Sequence, residues 1–175
     1  MPNIYLSPSL QEHNQYISGA GSEEYYMNLV VDAMIPYLRG SNITFTRNNP
    51  LDTLSQVIKK SNQENYDFHL AIHSNAAPKN LSGALQGPDV YYYPSSQEGK
   101  KAANIFSDNL KAIYPNPKLV ATIPNTTLAE LRKIKAPSIL TELAYHDNPN
   151  DAQWIVDNIN TIGKNLVLSL TDYFK

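Results

Sequence analysis

Phe68-His69-Leu70-Ala71-Ile72-His73-Ser74-Asn75-Ala76 is the stretch that decides the fold. It is an apolar run of strand length that ends on a histidine and then breaks into small polar residues. Reactive side chains in an α/β sheet sit at the carboxyl ends of the strands, where the ligand crevice opens. His73 therefore stands where an imidazole can bind a metal or move a proton. His69 precedes it by four residues and points to the same face about 13 Å away. The two cannot share a metal, and His69 is expected to be packed or hydrogen-bonded within the sheet.

Outward from this stretch, strands alternate with amphipathic helices. Asn3-Ile4-Tyr5-Leu6 reads as a strand stopped by Ser7-Pro8-Ser9, and a polar loop follows through His13 to Gly21. Ser22 is an expected N-cap for a helix carrying Met27, Val30, Val31, Met34 and Leu38 at helical spacing. Pro36 is expected to kink that helix, and Gly40 sits where a stop belongs. Ile43 to Arg47 reads as a strand and Thr53 to Asn62 as a helix. Val90 to Tyr93 and Leu119 to Thr122 follow as strands, separated by a helix bearing Ala103, Phe106, Leu110 and Ile113. Ser138 to Leu143 is the last strand, and Ile162, Leu166, Leu170 and Phe174 mark the closing helix. The alternation predicts a single-domain, three-layer α/β/α fold with a mostly parallel twisted sheet flanked by helices, occupying residues 1–175.

Composition narrows the chemistry. The chain has 175 residues, enough for one sizeable core. A net charge of -2 argues against nucleic acid, which needs clustered Lys and Arg. No apolar run is long enough for membrane insertion, and no signal-peptide pattern is visible at the N-terminus, so any export route is not readable. With no cysteine, a metal site must be built from carboxylates and the four histidines. No Gly-rich phosphate loop follows a strand, which disfavours a nucleotide-binding protein.

Four residues are candidates for chemistry: His13, Glu24, His73 and Glu142. Glu24 in a first helical turn is explained equally well by the helix dipole. His13 alone reads as a loop histidine, and His146 lies past the last strand near the same crevice. Glu142 stands inside the otherwise apolar Ile139-Leu140-Thr141-Glu142-Leu143-Ala144. A carboxylate buried there needs either a cationic partner or a function.

At this point the order of parts resembles a family. The chain is similar to the zinc-dependent N-acetylmuramoyl-L-alanine amidases of the Amidase_3 type, which cut peptidoglycan between MurNAc and L-alanine. The resemblance is carried by Ile43 to Arg47, by Asp67 to Ala76, by Gly87-Pro88-Asp89-Val90-Tyr91-Tyr92-Tyr93, and by Ala136 to Pro149 with its Thr-Glu-Leu. It implies Glu24 and His73 as zinc ligands and Glu142 as the catalytic glutamate. The family usually reads Asp-Pro-Gly-His-Gly-Gly after its first strand, where this chain has Ser7-Pro8-Ser9-Leu10-Gln11-Glu12-His13-Asn14. Leu10 aligns with the ligand and cannot bind zinc, which leaves His13 as the nearby imidazole. Two His and one Glu with an open fourth position form a catalytic zinc set.

The implied partner is peptidoglycan, a glycan strand with stem peptides, and the implied place of action is the bacterial cell wall. Asn75, Tyr91, Thr127 and Leu128 are expected to line the substrate groove. A lone domain of this kind fits a phage-type lysin, a sporulation or germination enzyme, or a fragment of a chain with a separate wall-binding domain. The rival readings are a zinc-free peptidoglycan-binding or regulatory module of the same fold and a zinc carboxypeptidase acting on the stem peptide.

Overall fold

Six short strands line up in one sheet in the computed structural model, which describes residues 1–175. They are β1 (Asn3–Pro8), β2 (Thr44–Arg47), β3 (Phe68–Asn75), β4 (Asp89–Tyr92), β5 (Ala121–Pro124) and β6 (Ser138–Tyr145), in the spatial order β2-β1-β3-β6-β4-β5. Pairing is parallel except between β4 and β6, which are antiparallel, so β4 and β5 run against the other four. The helices are α1 (Glu23–Gly40), α2 (Leu54–Gln63), α3 (Gln97–Lys111), α4 (Ala129–Arg132), α5 (Pro149–Asp157) and α6 (Ile159–Tyr173). The expected mostly parallel α/β architecture is the one observed.

Side chains alternate across each strand, and the two faces of the sheet are covered unequally. Ile4, Leu6, Phe68, Leu70, Ile72, Ile139 and Leu143 join α1, α3 and α6 in one large core that includes Val30, Met34, Phe106, Leu166 and Leu170. The opposite face holds two small clusters. Tyr5 packs with Val57 of α2 and Tyr66, and Ala71 and Leu140 pack with Leu131 of α4. Because Phe68, Leu70 and Ile72 turn to the large core, His69, Ala71 and His73 turn to the sparsely covered face. There is room for a site beside them.

The helix ends follow local chemistry. Ser22 caps α1 by accepting the Tyr25 N–H at 3.1 Å, as expected. Thr53 caps α2 within a reciprocal capping box with Gln56. Pro36 lies inside α1, and the helix stops at Gly40, the expected position. The left-handed turn that ends it falls on Asn42, at φ 54°, and not on Gly40. Asparagine tolerates this conformation because its short polar side chain bonds locally. The α4 helix is a single turn of four residues, too few to show a period.

Candidate active site

Strand register places three titratable residues in a row. His73 of β3 stands opposite Glu142 of β6, and Glu142 stands opposite Asp89 of β4. Residues directly opposite in neighbouring strands share a face, so an imidazole and two carboxyl groups lie side by side across the sheet. The β3–β6 register shifts immediately after His73, and Ser74 there bonds the Tyr16 hydroxyl at 2.9 Å and His146 Nδ1 at 3.0 Å.

The first turn of α1 brings a third carboxylate from the end of the sheet. Glu23 Oε1 lies 2.9 Å from His73 Nδ1, and Glu23 Oε2 accepts from the Asn14 carboxamide at 2.8 Å. On the other side of the ring, Glu130 Oε2 lies 3.4 Å from His73 Nε2. Glu130 Oε1 takes His69 Nε2 at 3.1 Å and the Ser7 hydroxyl, and His69 Nδ1 meets the Ser61 hydroxyl at 2.8 Å. A continuous chain of hydrogen bonds thus runs Ser61, His69, Glu130, His73, Glu23, Asn14. The side chains of Glu23 and Glu130 are only 2% and 6% exposed.

Burial and these contacts set the charges. Burial pushes the Glu142 carboxyl up to about 8. The positive charge of His73 pulls against this, while the carboxylates of Glu23 and Asp89 add to it. Glu142 Oε2 is buried with no hydrogen-bond partner. Burial also pushes Asp89 up to about 6, although Tyr145, Asn75 and Tyr91 bond to it. For His73, burial disfavours the charged ring, but the hydrogen bonds with Glu130 and Glu23 outweigh it and hold the imidazolium well above the usual histidine range. The same contacts keep both carboxylates ionised despite their burial.

The residues singled out in the sequence divide into two groups. His73 and Glu142 meet, and Asn75 and Tyr91 join them around Asp89. Leu128 lines a cavity of about 400 Å³ together with Leu10, His13, Leu54, His73 and Glu130. The structure turns Glu23, and not the expected Glu24, toward His73, because adjacent helix positions diverge by about 100°. The Asn28 side chain bonds the Glu24 backbone oxygen, and the Glu24 carboxylate takes no part in the chain around His73. His13 lines the cavity but is exposed and makes no bond to Glu23 or His73. Thr127 is exposed and bonds only Asn125.

His69 is fully buried and hydrogen-bonded, as expected. His146 is buried against Tyr16, with ring centroids 5.4 Å apart, and its Nδ1 bonds the Ser74 hydroxyl at 3.0 Å. No three His, Asp or Glu side chains stand close enough to share one metal ion.

Glu23, Glu130, Asn14 and Asp89 were missed by sequence reading. For Glu23 a signal existed. Counting back from Met27, Val30, Val31 and Met34 along the buried stripe lands on Glu23, with Glu24 to one side. Glu130 had none beyond being an acid between Ala129 and Leu131.

The profile of the Amidase_3 family, N-acetylmuramoyl-L-alanine amidase, matches residues 11–172. No curated protein sequence matches the chain. Among solved structures, the N-acetylmuramoyl-L-alanine amidase AmiC2 of Nostoc punctiforme superposes with a TM-score of 0.85 at 17% identity, over 99% of this chain and 97% of that one. An N-acetylmuramoyl-L-alanine amidase from Clostridium difficile 630 gives 0.86 at 14% identity, over 99% and 96%. The catalytic domain of the CD27L endolysin targeting Clostridia difficile gives 0.77 at 20% identity, over 98% of each chain. At such identities the likeness establishes the fold, while the profile match spans nearly the whole chain. By that match, this protein belongs to the Amidase_3 family of N-acetylmuramoyl-L-alanine amidases.

Proposed function

We propose that the protein hydrolyses the amide bond between the lactyl group of MurNAc and L-alanine in peptidoglycan, using zinc and with Glu142 as general base and then general acid. The observation that carries this reading is the row His73–Glu142 with Glu23 against His73 Nδ1, inside a chain that belongs to the amidase family. The donor chemistry suits a divalent cation. A carboxylate oxygen and a ring nitrogen meet at one point, the surrounding groups are mainly acidic, and Glu142 Oε2 is buried without a partner. Glu23 and His73 are the two ligands, and the third comes from the loop after β1, where His13 is the sole imidazole. When bound there, zinc supplies a Lewis acid and a water of lowered pKa.

The chain's own residues do the rest. The positive His73 ring pulls against the burial that holds Glu142 neutral, and a cation held beside it would add to that pull and favour the carboxylate a general base requires. Glu142 then takes the proton of the attacking water and returns it to the amine of the departing L-alanine. Asn75 and Tyr91 beside Asp89, and Leu128 at the cavity wall, orient the substrate. Thr127 lies at the exposed rim. The partner is peptidoglycan and the site of action the bacterial cell wall.

The test is digestion of purified peptidoglycan together with elemental analysis. The expected result is new free amino groups on L-alanine, about one zinc per chain, and loss of zinc in His13→Ala. Zinc retained in that variant moves the third ligand elsewhere. Absence of new L-alanine amino groups with zinc supplied overturns the amidase reading. One observation favours a second reading, a zinc-free peptidoglycan-binding module of the same fold: Leu10 stands at the first-ligand position and no third donor meets Glu23 and His73. Retention on peptidoglycan without cleavage or zinc decides for it.

A further inference from the structure

We propose that Glu130 is a positioning residue that holds His73 with Nε2 occupied and Nδ1 turned toward Glu23. The proposal rests on the reading of Glu23 and His73 as a cation site. An imidazole presents two nitrogens, and which one is free for a ligand depends on the hydrogen bond made by the other. Here Glu130 Oε2 stands at Nε2 and Glu23 Oε1 at Nδ1. An ionised carboxylate only accepts, so each nitrogen of the cation-free ring donates, Nε2 to Glu130 and Nδ1 to Glu23; a cation beside Glu23 would replace the Nδ1 proton, while Glu130 keeps the proton on Nε2.

Glu130 is itself fixed from behind. Its Oε1 accepts from His69 Nε2 and from the Ser7 hydroxyl. The Nε2–H of His69 being thus engaged, its Nδ1 accepts from Ser61. The carboxylate is therefore tied to β1, β3 and α2 while α4 carries it. The one-turn helix is otherwise held by Leu131 packed on Ala71 and Leu140 and by Asn62, whose carboxamide donates to the Lys133 carbonyl at 2.7 Å. A buried acid whose oxygens all face donors is built to aim a ring, and the ring within reach of its outer oxygen is His73.

The test compares Glu130→Ala with Glu130→Gln by two readouts. One is the zinc dissociation constant measured by chelator competition. The other is the Nε2–H proton resonance of His73 in metal-free protein, assigned with His73→Asn. Glu130→Ala should weaken zinc binding about ten- to a hundredfold and abolish the Nε2–H signal through exchange with water. Glu130→Gln keeps an acceptor oxygen and should retain the signal and most of the affinity. Unchanged zinc affinity in Glu130→Ala overturns the proposal.

If the parent protein binds no zinc, the cation reading fails and the resonance alone decides. Its loss in Glu130→Ala upholds Glu130 as the clamp, and its persistence overturns it. Should Glu130→Ala fail to fold, Ser7→Ala removes one tether of the same carboxylate and should give a smaller loss in the same direction; no change in either readout then overturns the proposal.

Discussion

Glu23 and Glu24 are neighbours of one chemical type, and only Glu23 contacts His73. Glu23→Gln removes the negative charge at His73 Nδ1, so zinc content and peptidoglycan cleavage should both fall more than tenfold. Glu24→Gln should leave both within a factor of two. Comparable losses in the two variants, read by elemental analysis and digestion, would contradict the assignment. At Glu142 the prediction concerns pH. The folded-state pKa of about 8 lies above the ordinary value of 4.5, so the folded protein binds this proton more tightly than the unfolded chain. That contribution is fully present below about 4.5 and is lost as pH rises through about 8. Glu142→Gln cannot ionise. In chelator-treated protein its Tm should exceed that of the parent by several degrees at pH 9 and by little at pH 4.5. A Tm difference independent of pH would refute the raised pKa. The same variant should abolish cleavage.

The elements deliver these residues through their ends. The first turn of α1 is held by Ser22, whose hydroxyl accepts from Tyr25 N–H, and Glu23 is the next residue. Removing an N-cap side chain costs about 1 kcal/mol. Ser22→Ala should therefore lower Tm by roughly 2–4 °C and weaken zinc binding, because the turn that aims Glu23 frays. A Tm loss with zinc affinity unchanged would show that tertiary contacts alone hold Glu23. The strand pattern around β3 and β6 was legible because apolar runs of strand length ending in His-Ser-Asn and Thr-Glu-Leu leave few alternatives. α4 was not legible, since a single turn has no periodicity. Its Glu130 looks like any surface acid until Ser7, His69 and His73 are seen around it.

At the scale of the molecule, the two faces of the sheet divide the work. The large core under α1, α3 and α6 carries stability, and the thinly covered face carries the site. Gly163 of α6 lies so close to α1 that an added Cβ would stand 2.9 Å from Ala33 Cβ. Overpacking of this kind typically costs about 1–3 kcal/mol. Gly163→Ala should lower Tm by several degrees while leaving zinc affinity unchanged, as thermal unfolding and chelator competition would show. A matching loss of zinc affinity would mean that the two faces are coupled. The sequence by itself determined the α/β class, the strand ends that bear His73 and Glu142, and the family, because hydrophobic periodicity and local motifs are properties of contiguous residues. Tertiary structure decided that Glu23 and not Glu24 meets His73, that His13 stays at an exposed edge, and that Glu130 joins two histidines. Those outcomes depend on helix phase to within one residue and on contacts between positions fifty or more residues apart, and neither is written in any single stretch of the chain.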